Sequence, residues 1–303
     1  MLLSIIVAVT DADGELSGMD WFTALLREAE TVAAEVLVAG AHGGIRARLT
    51  AAAASSTARV CILDTPPALL APELWGLGLR AAAGDIVAFT INQCIVPVGW
   101  ARTVVTGISN GNAGVGGPLH LAPLTSGTGK AVYCLRYSAF LAADGEQREV
   151  RDIAGDNAAY KRDALMRHST YAHGFWEIEA HHWLRADGAT LALLPSMAAS
   201  FGGRPHLLPF MRQRFAHGRH FGAWRVLAGG RSQWQVMLAS PLVPGVLFVR
   251  TARRLAHHRG AIFVLLSCVP QFFALAAAWA AGEVAGALRA TRDARDRGHA
   301  PPS

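Results

Sequence analysis

Residues 73–100 form the stretch that most constrains the fold of this chain. Apolar residues in its first part recur at helical spacing, and the helix that they predict stops at Gly84. Residues 85–89 then make a short, nearly all-apolar run, which is typical of a strand covered on both faces. Ligands of open α/β sheets bind beyond the carboxyl ends of such strands, so the polar residues 90–93 mark the first candidate site.

Three more strands are predicted earlier in the chain, each short and apolar, at residues 4–9, 35–38 and 60–63. Residues 19–34 show helical spacing between the first two of these strands. The alternation of strands and helices predicts an α/β fold with a Rossmann-like, doubly wound and mostly parallel sheet, which binds its ligand at the carboxyl edge.

The second half of the chain is less regular. Residues 107–130 are rich in Gly, Ser, Thr and Asn and are predicted to be loop. Helices are predicted at 157–167 and 176–187, a strand at 189–194, and a basic, aromatic helix at 205–226. His181 and His182 are predicted to be surface or interface residues, as paired histidines on a short helix usually are, and no metal-ligand spacing accompanies them.

The composition is apolar for a soluble protein, with 52% hydrophobic and 17% charged residues, and it indicates either a large buried sheet or membrane contact. The net charge of +6 favours anionic partners such as phospholipids or nucleotides. Nucleic acid is not an expected partner, because the sequence has no nucleic-acid-binding motif. The four cysteines form no CxxC pair, which argues against a zinc ribbon and fits a reducing compartment.

The C-terminal region contains a long apolar segment, residues 261–281, which reaches the length of about 20 residues that a spanning helix needs. The earlier apolar segment 236–249 is interrupted by Pro241 and Pro244. A buried core helix is the alternative, but little core is left for it after an α/β domain. Membrane attachment is favoured, and a single span, a hairpin and an in-plane helix all remain open. We predict an α/β domain over residues 1–228, an apolar membrane-associated helical region over 229–290 and a disordered tail over 291–303.

Five blocks, in this order and spacing, resemble glycosyltransferase family 2, whose fold is GT-A. The blocks are residues 4–9, 73–100, 155–165, 174–188 and 212–219. They stand where the family has its nucleotide-contacting first strand, the approach to its metal-binding acids, its acceptor-side block, its catalytic base and an Arg/Gln-rich helix. The apolar C-terminal segment is also similar to the family's usual membrane tail.

The resemblance implies an inverting hexosyltransferase of cell-envelope polysaccharide synthesis, located at the cell membrane with its catalytic domain on the cytoplasmic side. Its implied partners are a nucleotide-sugar donor, a lipid-linked or saccharide acceptor and the membrane. The implied catalytic base is Glu177 or Glu179, although glutamates at a helix start are also favoured by the helix dipole. The implied nucleotide-sugar site consists of Val9, Thr10, Asp11, Asp64, Thr90, Asn92 and Gln93. The implied acceptor or diphosphate residues are Asn157, Trp176, Arg212, Gln213, Arg214 and Arg219.

The sequence departs from the family where metal and nucleotide normally bind. The D-x-D position, residues 91–93, reads Ile-Asn-Gln, and the acidic pair expected at residues 40 and 41 reads Gly-Ala. Neutral amides are poor ligands for Mg²⁺ or Mn²⁺, so no metal-ligating residue is predicted and no cofactor is certain. Mg²⁺ or Mn²⁺ stays possible as a cofactor, although its usual ligands are absent. Two interpretations remain open. One is a metal-independent transferase in which the arginines of 212–219 offset the diphosphate charge. The other is a catalytically inactive GT-A-like binding or scaffold protein, with those arginines facing water or lipid headgroups.

Overall fold

The computed structural model describes residues 2–10, 18–141, 145, 147–167, 173–228, 230–258 and 260–296, the last six by their backbone. The chain divides into two compact units. Unit 1 comprises Met1–Thr125 and Phe140–Gly203, and unit 2 comprises Ser126–Ala139 and Arg204–Ser303. This division groups the Arg-rich helix with the C-terminal helices, whereas the sequence analysis placed a boundary at residue 228.

The strands all lie in unit 1. They are β1 (Leu3–Ala8), β2 (Glu35–Ala39), β3 (Arg59–Ile62), β4 (Ile86–Ile91), β5 (Cys94–Ile95), β6 (Gly114–Gly116), β7 (Leu119–Leu121), β8 (Arg148–Val150), β9 (Asn157–Lys161), β10 (Leu191–Leu193) and β11 (Ala199–Phe201).

The helices are divided between the two units. Unit 1 contains α1 (Asp20–Thr31), α2 (Gly43–Ala53), α3 (Ala71–Ala81), α4 (Trp100–Ser109), α6 (Arg162–Met166) and α7 (Glu177–Ala186). Unit 2 contains α5 (Gly127–Tyr137), α8 (Leu207–Leu227), α9 (Gln233–Ala239), α10 (Val243–Ala256), α11 (Ala261–Leu266) and α12 (Val269–Asp296).

The main sheet of unit 1 has the strand order β3-β2-β1-β4-β9-β6-β10-β8, and a smaller sheet has the order β5-β11-β7. Strands β3, β2, β1 and β4 are parallel, since a helix joins each of them to the next along the chain. Strand β9 runs antiparallel to both β4 and β6. The predicted mostly parallel, doubly wound sheet is therefore confirmed.

The burial of the strands follows their place in the sheet. Every residue of β1, β2 and β4 is buried, as expected for central strands with helices on both faces. The edge strand β3 alternates between exposed and half-buried residues. Gly78 of α3 faces the Ile6 side chain so closely that an added Cβ would collide with it, which explains the glycine in this helix.

A buried carboxylate begins α4. Glu28 of α1 is 2% exposed and accepts hydrogen bonds of 2.9 Å from the backbone N–H groups of Gly99 and Ala101. The free N–H groups and the dipole at a helix N-terminus stabilise such a negative charge. This contact holds the backbone at the start of α4, just after the candidate site, against α1.

Two predictions of secondary structure are wrong. The segment 107–130 is not all loop, because it contains β6, β7 and the start of α5. The segment 157–167 is not one helix, because its first five residues form β9 and only Arg162–Met166 is helical. Pairing with β4 on one side and β6 on the other buries Asn157–Tyr160, and this tertiary contact overrides local helix propensity.

Unit 2 is entirely helical in its described part. The predicted apolar helix at 261–281 is interrupted, since α11 ends at Leu266 and α12 begins at Val269. Two stretches, Gln233–Ala256 and Val269–Ala290, are long and apolar enough to cross a membrane, a test that buried helices of soluble proteins also pass. Residues 291–296 of the predicted tail continue α12, and residues 297–303 lie outside the described part.

Candidate functional site

The residues that replace the D-x-D motif lie at the carboxyl end of β4. Asn92 and Gln93 are 2% and 6% exposed, and the Asn92 N–H donates to the carbonyl of Ala8 at 3.2 Å. The buried oxygens Thr90 Oγ1 and Asn92 Oδ1 have no hydrogen-bond partner among the described residues. A buried polar atom without a partner costs about 1–3 kcal/mol, so a bound ligand with suitable donors would find two acceptors here.

The neighbouring strand ends hold the other predicted nucleotide-contacting residues. Val9 and Thr10 are buried directly after β1, and the Val9 N–H donates to the carbonyl of Ala39 at 2.8 Å. Asp64 follows β3 with a side chain that is 95% exposed, and it pairs with Arg46 at 3.0 Å. The predicted residue Asp11 lies outside the described residues.

The indole of Trp75 links α3 to the end of β4. Its Nε1 donates a hydrogen bond of 2.8 Å to the backbone carbonyl of Thr90. Its ring lies 5.9 Å from that of Phe89 and 6.4 Å from that of Phe175. Sequence reasoning treated Trp75 as part of a helix and missed this contact, because an indole hydrogen bond across 15 residues leaves no spacing signal.

The candidate base Glu177 begins α7 beside this indole. Phe175, two residues earlier, stacks on Phe89 at 4.2 Å and donates its N–H to the carbonyl of Pro72 at 2.8 Å. A Cβ at Gly155 would lie 3.2 Å from the Trp75 ring and 3.4 Å from Cδ of Glu177. Both side chains therefore lie against Gly155.

The remaining residues of this segment are placed as follows. Trp176 is the N-cap of α7 and is half-buried. Glu179 is also half-buried, one position beyond the exposed Ile178. Successive helix positions point about 100° apart, so Glu177 and Glu179 do not share a face.

A buried polar chain lies under α7. His181 is 0% exposed, so its predicted surface or interface position is wrong. Its Nε2 is 2.7 Å from the Tyr160 hydroxyl and its Nδ1 is 3.3 Å from Asp152 Oδ1, to which Arg185 also donates at 2.9 Å. Burial raises the pKa of Asp152, but the hydrogen bonds and charges of His181 and Arg185 outweigh it and leave the pKa below its usual value. This chain ties α7 to β9 and fixes the backbone that carries Glu177.

The predicted diphosphate residues lie on α8 of unit 2. Arg212 and Arg219 are exposed, and Gln213 is half-buried. Arg214 is 9% exposed, and its guanidinium lies 4.2 Å above the ring of Trp279. Within unit 2, Arg214 therefore packs α8 against α12 through a cation–π contact.

Comparison with solved structures identifies the fold. GalNAc-T7, crystallised with UDP, GalNAc and Mn²⁺, superposes with a TM-score of 0.53 at 12% identity, over 74% of this chain and 50% of that one. The chain thus spans about half the length of GalNAc-T7. S. aureus TarS 1-349, in complex with UDP-GlcNAc, superposes with a TM-score of 0.52 at 10% identity, over 99% of this chain and 93% of that one. The chain has the GT-A fold.

Sequence comparisons add nothing to this assignment. No protein-family model matches the chain, and no curated protein matches it in sequence. The GT-A fold is therefore recognised from the arrangement of its strands and helices.

The described residues of the GT-A unit do not fit the metal that accompanies many sites of this kind. Residues 91–93 supply two amides and no carboxylate, and the exposed Asp64 is already paired with Arg46. In the described part of the chain, no group of three or more His, Cys, Asp or Glu side chains is arranged to hold a metal ion. Mg²⁺ and Mn²⁺ prefer carboxylate oxygens, so no step of the reaction is derived through a metal.

Proposed function

We propose that this chain is a glycosyltransferase that moves a sugar from a nucleotide-sugar donor to a saccharide or lipid-linked acceptor. The observation that carries the proposal is the pair of buried, unpartnered oxygens, Thr90 Oγ1 and Asn92 Oδ1, at the ligand-binding edge of a GT-A sheet. Ligands of open α/β sheets bind at this edge. Two acceptors that lack donors there favour a ligand rich in hydroxyl or amide N–H groups, which a nucleotide sugar is.

The donor class is supported by the structural neighbours, which were crystallised with UDP and GalNAc or with UDP-GlcNAc. These ligands were bound to those proteins, and UDP-sugars are therefore the first donors to test with this chain. Val9, Thr10 and Gln93 are the further candidates for donor contacts in the described part of unit 1. The role of Asp64 stays a prediction from sequence.

The proposed reaction proceeds with inversion. Glu177 accepts the proton of the acceptor hydroxyl while that oxygen attacks the anomeric carbon, and the nucleoside diphosphate leaves from the opposite face. The position of Glu177 beside Trp75 and Gly155 supports it over Glu179. Asn157 and Trp176 remain predicted acceptor-side residues, although the Asn157 amide is hydrogen-bonded within unit 1.

Charge on the leaving diphosphate requires compensation. We assign this role to protein donors because the D-x-D position has amides where carboxylates would hold a cation. The contribution of Arg212, Gln213, Arg214 and Arg219 stays a prediction from sequence, and the packing of Arg214 on Trp279 makes Arg212 and Arg219 the better candidates.

We further infer that the chain acts at the cell membrane, with its catalytic unit on the cytoplasmic side, in the synthesis of an envelope polysaccharide. The apolar stretches of unit 2 support attachment, and free buried thiols fit a reducing compartment.

A second function is favoured by one specific observation, the loss of every carboxylate from residues 91–93. On this alternative the GT-A unit is catalytically inactive and serves as a binding or scaffold subunit.

Calorimetric titration of the detergent-purified full chain separates these possibilities. UDP- and GDP-sugars are titrated with and without Mn²⁺, and we expect binding that does not require the metal. Absence of binding under every condition would overturn the transferase proposal. Binding only with Mn²⁺ would overturn its metal-independent form. Donor binding without turnover on any acceptor would favour the inactive scaffold.

A further inference from the structure

The longest helix of unit 2, α12, is packed backbone to backbone against α8. A Cβ added to Gly218 or Gly222 of α8 would collide with the carbonyl of Trp279 or Glu283, respectively. The reverse also holds, because a Cβ at Gly282 or Gly286 of α12 would collide with a carbonyl of α8. Residue numbers rise together along both helices at these contacts, so the two helices run parallel. The face of α12 that carries Gly282 and Gly286 is therefore covered by α8.

The partner helix α8 is strongly charged, with Arg212, Arg214, Arg219 and Arg225 along its length. Arg225 donates to Glu283 Oε1 at 3.2 Å, and this glutamate of α12 is 1% exposed. Ser240 Oγ donates to the other carboxylate oxygen at 3.2 Å. If α12 crossed a bilayer, α8 and its arginines would enter the hydrocarbon with it, which is costly. The packing therefore argues against α12 as a transmembrane span.

The other apolar stretch has one buried and one exposed face. Val236, Ser240, Thr251 and Leu255 are at most 2% exposed and face the interior of unit 2. The opposite side carries a surface that we call the interfacial face. It consists of Trp234, Leu238, Leu242, Val246 and Val249, and each of these side chains is at least 43% exposed.

The spacing and identity of these residues are typical of a helix that lies in a membrane surface. Along residues 234–249 they recur every three or four residues, which places them along one side of the helical stretch. Trp234 is 67% exposed and Leu238 is 75% exposed, an arrangement that a water-facing surface does not favour. An indole among aliphatic side chains is characteristic of the boundary between headgroups and acyl chains.

Positive charge borders the interfacial face. Arg250, Arg253 and Arg254 are exposed on α10, and His257 follows at the end of that helix. Such a cluster of like charges next to an apolar surface is complementary to anionic headgroups.

We propose that unit 2 docks in the plane of an anionic phospholipid bilayer through the interfacial face and does not cross the bilayer. This inference rests on the proposed membrane attachment and narrows it from three topologies to one. The interfacial face combines an apolar surface with a cationic border, and this combination favours an anionic lipid surface over a protein partner.

Vesicle co-sedimentation tests the surface. The full chain is mixed with vesicles of phosphatidylcholine alone or with added phosphatidylglycerol, and we expect binding to the anionic vesicles that weakens at high salt. The double variant Leu238→Glu/Leu242→Glu is expected to lose binding, while Val98→Glu in unit 1, which replaces an 83% exposed residue, retains it. Each of Arg250→Gln and Arg253→Gln is expected to weaken binding about fivefold at low salt.

A different binding partner at the interfacial face would give different results. If the chain self-associates without lipid and Leu238→Glu/Leu242→Glu abolishes only that association, the face joins two copies and the proposal is wrong. Binding that is equal for neutral and anionic vesicles would also contradict it.

Site-directed labelling tests the topology. In a Cys61→Ser background, cysteines introduced as His257→Cys and Leu288→Cys are labelled in inside-out and right-side-out membrane vesicles. An in-plane unit places both labels on the side of unit 1. Labelling of either position from the opposite side would establish a span and overturn the proposal. Donor titration on the same variants is independent of both readouts, so a failure of the glycosyltransferase proposal would be seen separately.

Discussion

The indole Nε1 of Trp100 donates a hydrogen bond of 2.9 Å to Oδ1 of Asn157. The amide nitrogen of Asn157 donates to the carbonyls of Met197 at 2.8 Å and Pro118 at 3.3 Å. The Asn157 side chain therefore connects the first residue of β9 to the start of α4 and to the segments that precede β7 and β11. A residue that the family resemblance assigned to the acceptor uses both of its amide protons inside unit 1.

Replacing Trp100 with Phe is expected to destabilise unit 1 by about 1–3 kcal/mol, because Asn157 Oδ1 would then be buried without its donor. Urea denaturation followed by circular dichroism measures the change. Trp234→Phe is the matched control, since this tryptophan is 67% exposed and its loss should leave the unfolding midpoint in place. Equal midpoints for Trp100→Phe and the unmodified protein would contradict the structural role of the bond.

Replacing Glu177 with Gln is expected to abolish turnover while donor binding persists, because the amide cannot accept the acceptor's proton. Sugar transfer by the purified variant and donor titration measure the two properties. Glu149→Gln, an exposed position on β8, serves as the control and should retain turnover. Unchanged turnover in Glu177→Gln would move the base to Glu179 or to another residue.

Gly222→Ala is expected to lower the stability of unit 2, even though Ala ordinarily stabilises a helix by about 0.5–1 kcal/mol relative to Gly. The reason is the carbonyl of Glu283, which occupies the space of the new Cβ. Gly245→Ala on α10 is the matched control, because nothing lies within 4 Å of its added Cβ. Thermal unfolding should shift in opposite directions for the two variants, and a shared upward shift would refute close α8–α12 contact.

The stability of unit 2 is expected to fall below pH 6.5. Burial, together with the nearby charges of Arg136, Arg214 and His220, lowers the pKa of His217 well below 6.5. As pH drops through about 6.5, the unfolded chain takes up a proton that the folded chain does not, so protonation favours unfolding. Urea midpoints at several pH values between about 7.5 and 5 measure this, and His217→Gln should show a shallower loss. Parallel profiles for the two proteins would exclude His217 as the cause.

Much of unit 1 was predictable because local patterns carried it. The apolar runs at β1, β2 and β4 needed no knowledge of their neighbours, since a strand covered on both faces is apolar throughout. Strand β9 was missed because Asn157–Lys161 contains residues compatible with a helix, and only its two strand partners make it extended. His181 was misplaced for the same reason, since its burial depends on Tyr160 and Asp152, 21 and 29 residues away.

The amino-acid sequence by itself determined the α/β alternation, the uncharged D-x-D position and the apolar C-terminal stretches, because each is a property of consecutive residues. Only the tertiary structure decided that Glu177 and Trp75 both lie against Gly155, that Asn157 is hydrogen-bonded within unit 1 and that α8 packs against the glycines of α12. These outcomes depend on which backbones approach closely enough for a hydrogen bond or a glycine contact. Such approaches join residues far apart in the chain, and no local spacing records them.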